Sequence, residues 1–466
     1  MIPLSLAEVA AIVGGQAHGE ATTAVTGPAF LDSRRPEPGG LFVAIAGERA
    51  DGHAFAAAAV DGGAAAVIGS RPTDVPTVVV PDVQAALHRL AAEVLRRLRL
   101  ANPDLRVVAI TGSQGKTSVK DMLAAVLSDA GPTVATYQSF NNELGLPLTV
   151  LRAVPETRYL VLEMGARGIG HIADLCRTAP PDVSVVLNVG LAHVGEFGSQ
   201  AAIAQAKGEI VEALEPGGVA VLNFDDPLVA AMAPRTRGEV YTFGRGTGAG
   251  VRLDGVEVDD LGRARFDLEA GGQRVHVGLR LVGEHQALNA AAASAAALAL
   301  GLTLEGIGDS LRAIEVLSPW RMELRERSDG LIVINDAYNA NPHSMRSALE
   351  TLAGIGRRTG RRTVAVLGEM RELGDVSEEE HRAVGRLARE LGIDELVVVG
   401  EGARGIVRGE ESATFHGSVP EAVEAVRKNV RGSEVVLVKA SRAAGLERVA
   451  QGLLTDGAAR TEEGNG

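Results

Sequence analysis

Residues 106–118, RVVAITGSQGKTS, constrain this chain more than any other stretch. A β-branched apolar run leads into a Gly-containing turn, and the turn runs straight into a helical pattern that begins at Lys116 and Thr117. A strand, turn and helix in that order aim the unpaired N–H groups of the helix's first turn at one point, which is where an anion binds. Lys116 is then placed to reach the β- and γ-phosphates of a nucleotide, and the Thr117 hydroxyl to ligate Mg²⁺. The strict pattern G-x-x-x-x-G-K-[ST] fails, because Ile110 stands at its first position. What remains is a T-G-x-x-G-K-T loop of Thr111, Gly112, Ser113, Gln114, Gly115, Lys116 and Thr117, followed by Ser118. A turn that merely caps a helix is the alternative, and the strand before and helix after favour phosphate. No N-K-x-D guanine reader stands out, so ATP is the expected nucleotide.

The rest of the chain is organised around that unit. At 466 residues it is too long for one ordinary core, and about 150 residues per domain suggests roughly three. The expected fold is α/β in three domains. A small N-terminal α/β domain spans 1–84, with strands near 41–46, 64–69 and 76–81 and a helix near 53–61. A central P-loop ATPase-like domain with a mostly parallel sheet spans 85–315. Its apolar runs LRVVAI, YLVLEM (159–164), DVSVVLNVG (182–190) and VAVLNFD (219–225) alternate with helical patterns, as buried parallel strands do. Residues 250–282 instead alternate polar with apolar, which reads as antiparallel hairpins, and an alanine-rich helix follows to about 301. A C-terminal Rossmann-like, doubly wound domain spans 316–456, with strands at 331–336, 363–368, 395–400 and 434–439. It lacks G-x-G-x-x-G, so a dinucleotide is not indicated. The tail 457–466 is expected to fray.

Composition removes several function classes. Net charge is −13 and aromatics are 3%, which leaves neither a basic track nor stacking platforms for nucleic acid. Anionic ligands must therefore be captured by local groups against the overall field. No apolar stretch approaches the length of a membrane span, and the N-terminus carries Glu8 and no basic flank, so it reads as a helix and not a signal peptide. Cys176 is the only cysteine; it reads as a small buried apolar residue, and the absence of a disulfide framework fits a reducing, cytoplasmic location.

Polar groups at strand ends are the remaining candidates, since open α/β sheets bind ligands there. Glu163 ends one apolar run and His193 follows the next, and the two could share a metal. Lys207, on a helix soon after, reads on its own as a solvated surface lysine. The stretches NNELGLPLT (141–149), GEHQALNAAAA (283–293), PWRMEL (319–324) and INDAYNANPHSM (334–345) concentrate polar residues beside Gly or Pro. Any one of them is explained by loop chemistry, but together they are an odd coincidence.

These stretches, with LFVAIAGERADGHAF (41–55), LEMGARGIGHI (162–172), AHVGEFGS…AKGEI (192–210) and VLGEMRELG (366–374), resemble the Mur ligases over essentially the whole chain. Those are ATP-dependent amide-forming enzymes of peptidoglycan precursor synthesis. Within the family, NANP (339–342) points to the branch that adds D-alanyl-D-alanine to a UDP-N-acetylmuramoyl-tripeptide, and no D-N-P-R or D-N-P-A stretch of the diamino-acid-adding branch appears. The resemblance implies roles residue by residue. Ser33 and Arg34 would hold the uridine diphosphate end of the substrate. Residues 112–118 would hold ATP phosphates, with Thr117, Glu163, His193 and Lys207 as Mg²⁺ ligands. Lys116, Lys207, His193 and Asn142 would form the catalytic set, Asn142 facing the reacting phosphate. Asn289, Arg321 and Asp336 would contact ATP across the domain cleft. Tyr338, Asn339 and Asn341, with Lys439, Ser441 and Arg442, would line the acceptor or dipeptide side. The family lysine matching Lys207 is commonly carbamylated by CO₂, and the family leans towards monomers. Two positions depart from the family pattern: Gln286 stands where Asn is usual and Ala440 where Gly is usual. A sibling ligase adding another amine, a kinase, and a nucleotide-binding scaffold without catalysis are the competing readings.

Overall fold

The computed structural model describes all residues except 48–49, 138–139, 191–196, 317 and 456–466. Three larger sheets carry the chain, with helices packed against them. The N-terminal sheet has the strand order Gln16–His18, Thr77–Val79, Ala66–Gly69, Leu41–Val43, Ala29–Phe30, parallel except at its first strand. The expected helix near 53–61 is a 3-10 turn, Gly52–Phe55, leading into an α-helix, Ala56–Asp61. The N-terminal helix Leu6–Val13 starts on a capping box between Ser5 and Glu8 and stops at left-handed Gly14.

The long amphipathic helix Val83–Ala101, capped by Asp82, joins this unit to the next. Its Leu87, Leu90 and Val94 share one apolar cluster with Leu6 and Val9 on one side and with Leu146, Leu160 and Leu175 on the other. The connection between the two sheets is therefore a continuous core. Burying such side chains contributes roughly 1.5–3 kcal/mol each.

The central sheet has nine strands. From one edge they run Thr133–Ala135, Tyr159–Glu163, Arg106–Thr111, Val183–Val186, Val219–Asn223, Glu239–Gly244 and Val251–Val258, all parallel. The antiparallel pair Arg263–Ala270 and Gln273–Val282 then extends it, as the alternating pattern of that segment indicates. The chain leaves Arg106–Thr111 towards one edge, and from its neighbour Val183–Val186 it runs towards the other. The glycine loop thus sits at the switch point, where open sheets leave a crevice. The strand expected over 182–190 stops at Val186. Asn188 turns its amide to the glycine loop instead, and a strand continuing through it would leave that loop unsupported.

The helix Lys116–Ala130 packs against the helix His285–Ala299. The second helix meets its surroundings through Ala290–Ala293 and Ala295–Ala297, all with no exposed surface. Small side chains let the two helix backbones approach closely. The C-terminal sheet has the order Glu323–Glu326, Ile332–Asp336, Glu434–Lys439, Arg362–Leu367, Glu395–Val399, Thr414–His416, parallel except for the first strand. Helices pack on both faces, giving two apolar clusters, one around Ile334, Leu349 and Leu437 and one around Val333, Val366 and Val449. Among the described residues no helix is long and apolar enough to cross a membrane. Cys176 is buried, and burial pushes its thiol up to about 12, as suits an inert core residue.

Candidate active site

The carboxyl ends of the central and C-terminal sheets face one cleft of about 530 Å³. Ser113–Ser118, Asn142, Glu163, Lys207, Asn289, Arg321, Asp336, Tyr338, Asn339, Asn341 and Lys439 all line it. The structure brings together residues that lie more than 300 positions apart in the chain.

The glycine loop is held from several sides. The Gln114 N–H donates to Asn188 Oδ1 at 2.9 Å, and Asn188 Nδ2 donates back to the Gln114 carbonyl at 3.2 Å. The Gly190 N–H donates to Ser113 Oγ at 2.9 Å. Gly115, at the helix N-cap, has φ +81°, and a Cβ there would lie 2.7 Å from Asn289 Oδ1. Only glycine meets both demands. The Lys116 ammonium donates to the Gly112 carbonyl at 2.7 Å, which folds the side chain back over the loop. Its pKa is lowered, first by burial and then by Arg321, with Glu163 opposing.

Below the loop, Glu163 ends its strand with 1% of its surface exposed. Its Oε2 accepts from the Thr117 hydroxyl at 2.7 Å and its Oε1 from Asn141 Nδ2 at 2.7 Å. Lys207, expected from its local sequence to be solvated, is 6% exposed. Burial, then the neighbouring Lys116 charge, holds its pKa well below the ordinary lysine value. His193 lies outside the described residues.

Across the cleft, neighbouring strand ends pair Asp336 with Lys439. The Lys439 ammonium donates to Asp336 Oδ2 at 2.5 Å and to the Asn339 carbonyl at 2.9 Å. Asp336 Oδ1 accepts from the Met322 N–H at 3.0 Å. The Arg321 guanidinium lies 4.2 Å over the Tyr338 ring, with a buried Nε that has no hydrogen-bond partner. Asn289 Nδ2 donates to Gln286 Oε1 at 2.9 Å. Asn341 caps the helix Pro342–Thr359.

Not every expected residue enters the cleft. Ser441 and Arg442 line an adjoining cavity of about 250 Å³, which shares Asn339, Asn341 and Glu372 with the main one. Ser33 and Arg34 line neither; Arg34 is exposed and chelates Asp32 at 2.8 Å. The Asn142 side-chain oxygen Oδ1 is taken by the Gly145 N–H at 2.9 Å, which leaves Nδ2 for the cleft. Lys439 spends its ammonium on Asp336 and the backbone. Sequence reasoning missed Asn141 and Asn188 as individual participants. Their signals were the doubled Asn of NNELG and a polar residue closing the apolar run VVLNVG.

A phosphate loop at the switch point of a parallel sheet, facing the strand ends of a second doubly wound sheet, defines a nucleotide-binding α/β protein that works across a domain cleft. Family models then match nearly end to end. The Mur ligase family catalytic domain matches residues 30–105, the Mur ligase middle domain 110–297, and the Mur ligase glutamate ligase domain 320–442. The chain belongs to the Mur ligase family. It is 44% identical to the UDP-N-acetylmuramoyl-tripeptide–D-alanyl-D-alanine ligase of Mycobacterium tuberculosis over 98% of each chain. To the enzyme of the same name from Escherichia coli it is 36% identical, over 98% of this chain and 100% of that one. The structure superposes on MurF from Acinetobacter baumannii with a TM-score of 0.84 and 34% identity, covering 97% of this chain and 99% of that one. On MurF ligase from Thermotoga maritima in complex with ADP the TM-score is 0.79 at 32% identity, covering 93% and 98%.

Proposed function

We propose that this chain is an ATP-dependent ligase that joins D-alanyl-D-alanine to the terminal carboxylate of UDP-N-acetylmuramoyl-tripeptide, a step of peptidoglycan precursor synthesis in the cytoplasm. One observation carries the reading: the phosphate loop, with the Thr117–Glu163 pair and buried Lys207 beneath it, opens on a cleft whose far wall is the NANP stretch. A carboxylate is a poor acyl donor. Its oxygen attacks the γ-phosphorus of ATP, ADP leaves, and the resulting acyl phosphate has a good leaving group. The dipeptide's neutral amine then attacks the acyl carbon, phosphate departs, and the nitrogen loses its proton as the amide forms.

The residues divide this work. Backbone N–H groups of 112–117 and the Lys116 ammonium stabilise charge on the transferring phosphoryl group. Arg321, propped on Tyr338, and Asp336 approach the nucleotide from the opposite wall, and Asn289 from beside the loop. Asn142 turns its free Nδ2 to the reacting phosphate. Tyr338, Asn339 and Asn341 line the acceptor side, and Ser33 and Arg34 take the uridine diphosphate end outside the cleft.

Among the described residues no three His, Cys, Asp or Glu side chains converge as a ready-made metal cage. A hydroxyl from Thr117 and a carboxylate from Glu163 are hard oxygen donors of the kind Mg²⁺ takes together with phosphate oxygens. Thr117, Glu163, His193 and Lys207 would hold it, and bound there it would neutralise phosphate charge. Lys207 serves as a carbamate: its depressed pKa favours the neutral amine that CO₂ requires, and two anionic oxygens replace a cation that would repel a metal. The chain acts as a monomer.

Phosphate release from Mg-ATP with UDP-N-acetylmuramoyl-tripeptide, with and without D-alanyl-D-alanine, tests the reaction. Release that needs both, with the mass of the pentapeptide nucleotide, is expected. A product grown by another amine, or a phosphorylated product without an amine, would overturn it.

A further inference from the structure

Outside the ATP cleft, the residues around Trp320 form a distinctive arrangement that the proposed mechanism leaves unused. Trp320 has φ +62° and Met322 φ +49°, two of three non-glycine residues with positive φ among the described residues. A bulky residue adopts that region only when its surroundings hold it there. Here the two strained residues flank Arg321. The backbone is held on both sides: the Tyr338 N–H donates to the Trp320 carbonyl at 3.2 Å, and the Trp320 N–H donates to Glu323 Oε2 at 3.2 Å.

Arg321 and Met322 line the ATP cleft, whereas Trp320 does not. The Arg442 guanidinium lies 4.1 Å over the Trp320 ring, and the same guanidinium is braced by Glu447 at 2.9 Å. Arg442 and Arg371 both line the second cavity. Arg371 enters through a loop tied to Ser441, whose Oγ accepts from the Arg371 N–H at 3.0 Å. The lining of the second cavity therefore includes two arginines, the Arg371 guanidinium paired with Glu369 at 3.2 Å as that of Arg442 is with Glu447, and the cavity opens on the main cleft at Asn339, Asn341 and Glu372. Planar, doubly donating guanidinium groups suit a carboxylate.

We propose that Trp320 is a specificity-determining positioning residue, whose ring fixes Arg442 in the wall of the second cavity so that Arg442 and Arg371 receive the free carboxylate of the amine substrate. This rests on the ligase reading above, in which the amine substrate is a dipeptide with its carboxylate at the far end from the reacting nitrogen. The dipeptide would lie with its amine at the shared mouth of the two cavities and its carboxylate between the arginines. Residues 320 and 321 would then serve the two cavities separately, one through Arg442 and the other through the nucleotide.

The test compares D-alanyl-D-alanine with its C-terminal carboxamide as substrates of the full-length enzyme, in wild type, Trp320→Gly and Trp320→Phe. Glycine relieves the backbone while removing the ring, and phenylalanine keeps an aromatic face. Wild type should prefer the acid over the carboxamide. Trp320→Gly should raise the KM for the acid about fivefold, the scale of a cation–π contact to a half-exposed guanidinium, with kcat and the KM for ATP within about twofold. The carboxamide KM should barely move, so the preference collapses, and Trp320→Phe should restore most of it. Trp320 is the single tryptophan, so its emission gives an independent readout in the wild-type enzyme. A saturable change with the acid and none with the carboxamide is expected, and this titration decides the matter should Trp320→Gly unfold. An unchanged acid-to-carboxamide ratio in Trp320→Gly, or a parallel rise in the KM for ATP, overturns the proposal. Absence of any wild-type product with D-alanyl-D-alanine would instead overturn the ligase reading.

Discussion

The two sheets that meet at the cleft solve the same problem by different means. Each is mostly parallel, and each points its parallel strand ends at the same volume. The central sheet presents a loop in which glycines let backbone N–H groups approach an anion, locked by neutral hydrogen bonds to Ser113, Gln114 and Asn188. The C-terminal sheet has no such loop at its strand ends. Its strands 332–336 and 434–439 end instead on an ion pair, Asp336 with Lys439, in which the lysine side chain is 2% exposed. Backbone can hold a phosphate wherever side chains are absent. Where side chains must reach in, their position has to be set by buried charge and by strain in the segment 320–322.

That contrast can be broken by substitution. The largest effect is expected at Lys207: Lys207→Ala should lower turnover at least about 100-fold, with part of the rate restored by short-chain carboxylic acids and none by bicarbonate. Full activity would remove Lys207 from the site. On the C-terminal side the damage should fall on stability. Asp336→Asn strands a buried ammonium and should cost about 3–5 kcal/mol in urea unfolding. Thr117→Val, on the central side, removes a hydrogen bond to the buried Glu163 carboxylate; it should slow turnover and cost about 1.5–3 kcal/mol, less than the stranded ammonium. Equal stability losses at the two positions would erase the distinction.

A smaller effect is expected where the two regions are coupled. Asp121, on the phosphate-loop helix, accepts from the Ser318 N–H at 2.8 Å at the start of the linker. Asp121→Ala should cost about 1–2 kcal/mol, read by urea unfolding. The smallest lies in the helix Val83–Ala101. Arg96 and Arg97 hold the Glu93 carboxyl at about 2, below its ordinary 4.5. A carboxyl lowered by folding stabilises the native state above 4.5 and loses that contribution as pH falls towards 2. The melting curves of Glu93→Gln and wild type should differ by less than about 1 kcal/mol at neutral pH and converge on acidification.

Legibility in the sequence followed the same division. The glycine loop was readable because strand, turn and helix are local, and the parallel strands because buried β-branched runs have a length and a period. The antiparallel extension over 251–282 was readable from its alternation. Lys207 was not readable from its own helix: its burial is decided by elements distant in sequence that close over it. The cradle for Glu163 was half visible, since Thr117 belongs to the motif whereas Asn141 is one of two adjacent asparagines and only the fold selects it. Little local marks Trp320 and Met322 as left-handed, because beyond the Trp320 N–H bond to Glu323 the contacts that hold them come from residues 336, 338 and 442. The resemblance gave Asn142 a catalytic role and Lys439 and Arg442 a substrate-binding one. Asn142 and Lys439 line the main cleft, one in a turn and one in an ion pair, and Arg442 lines the second cavity.

The seam of alanines between the helices 116–130 and 285–299 has a consequence for how such a chain drifts. Gln286 and Asn289 sit on the same helix just before those alanines, and Asn289 Oδ1 lies where a Cβ on Gly115 would meet it at 2.7 Å. One added methylene in the seam would tilt the helix and move both amides together. Selection for escape from an inhibitor lodged beside the nucleotide therefore has a route through buried alanines that leaves every residue touching the inhibitor unchanged.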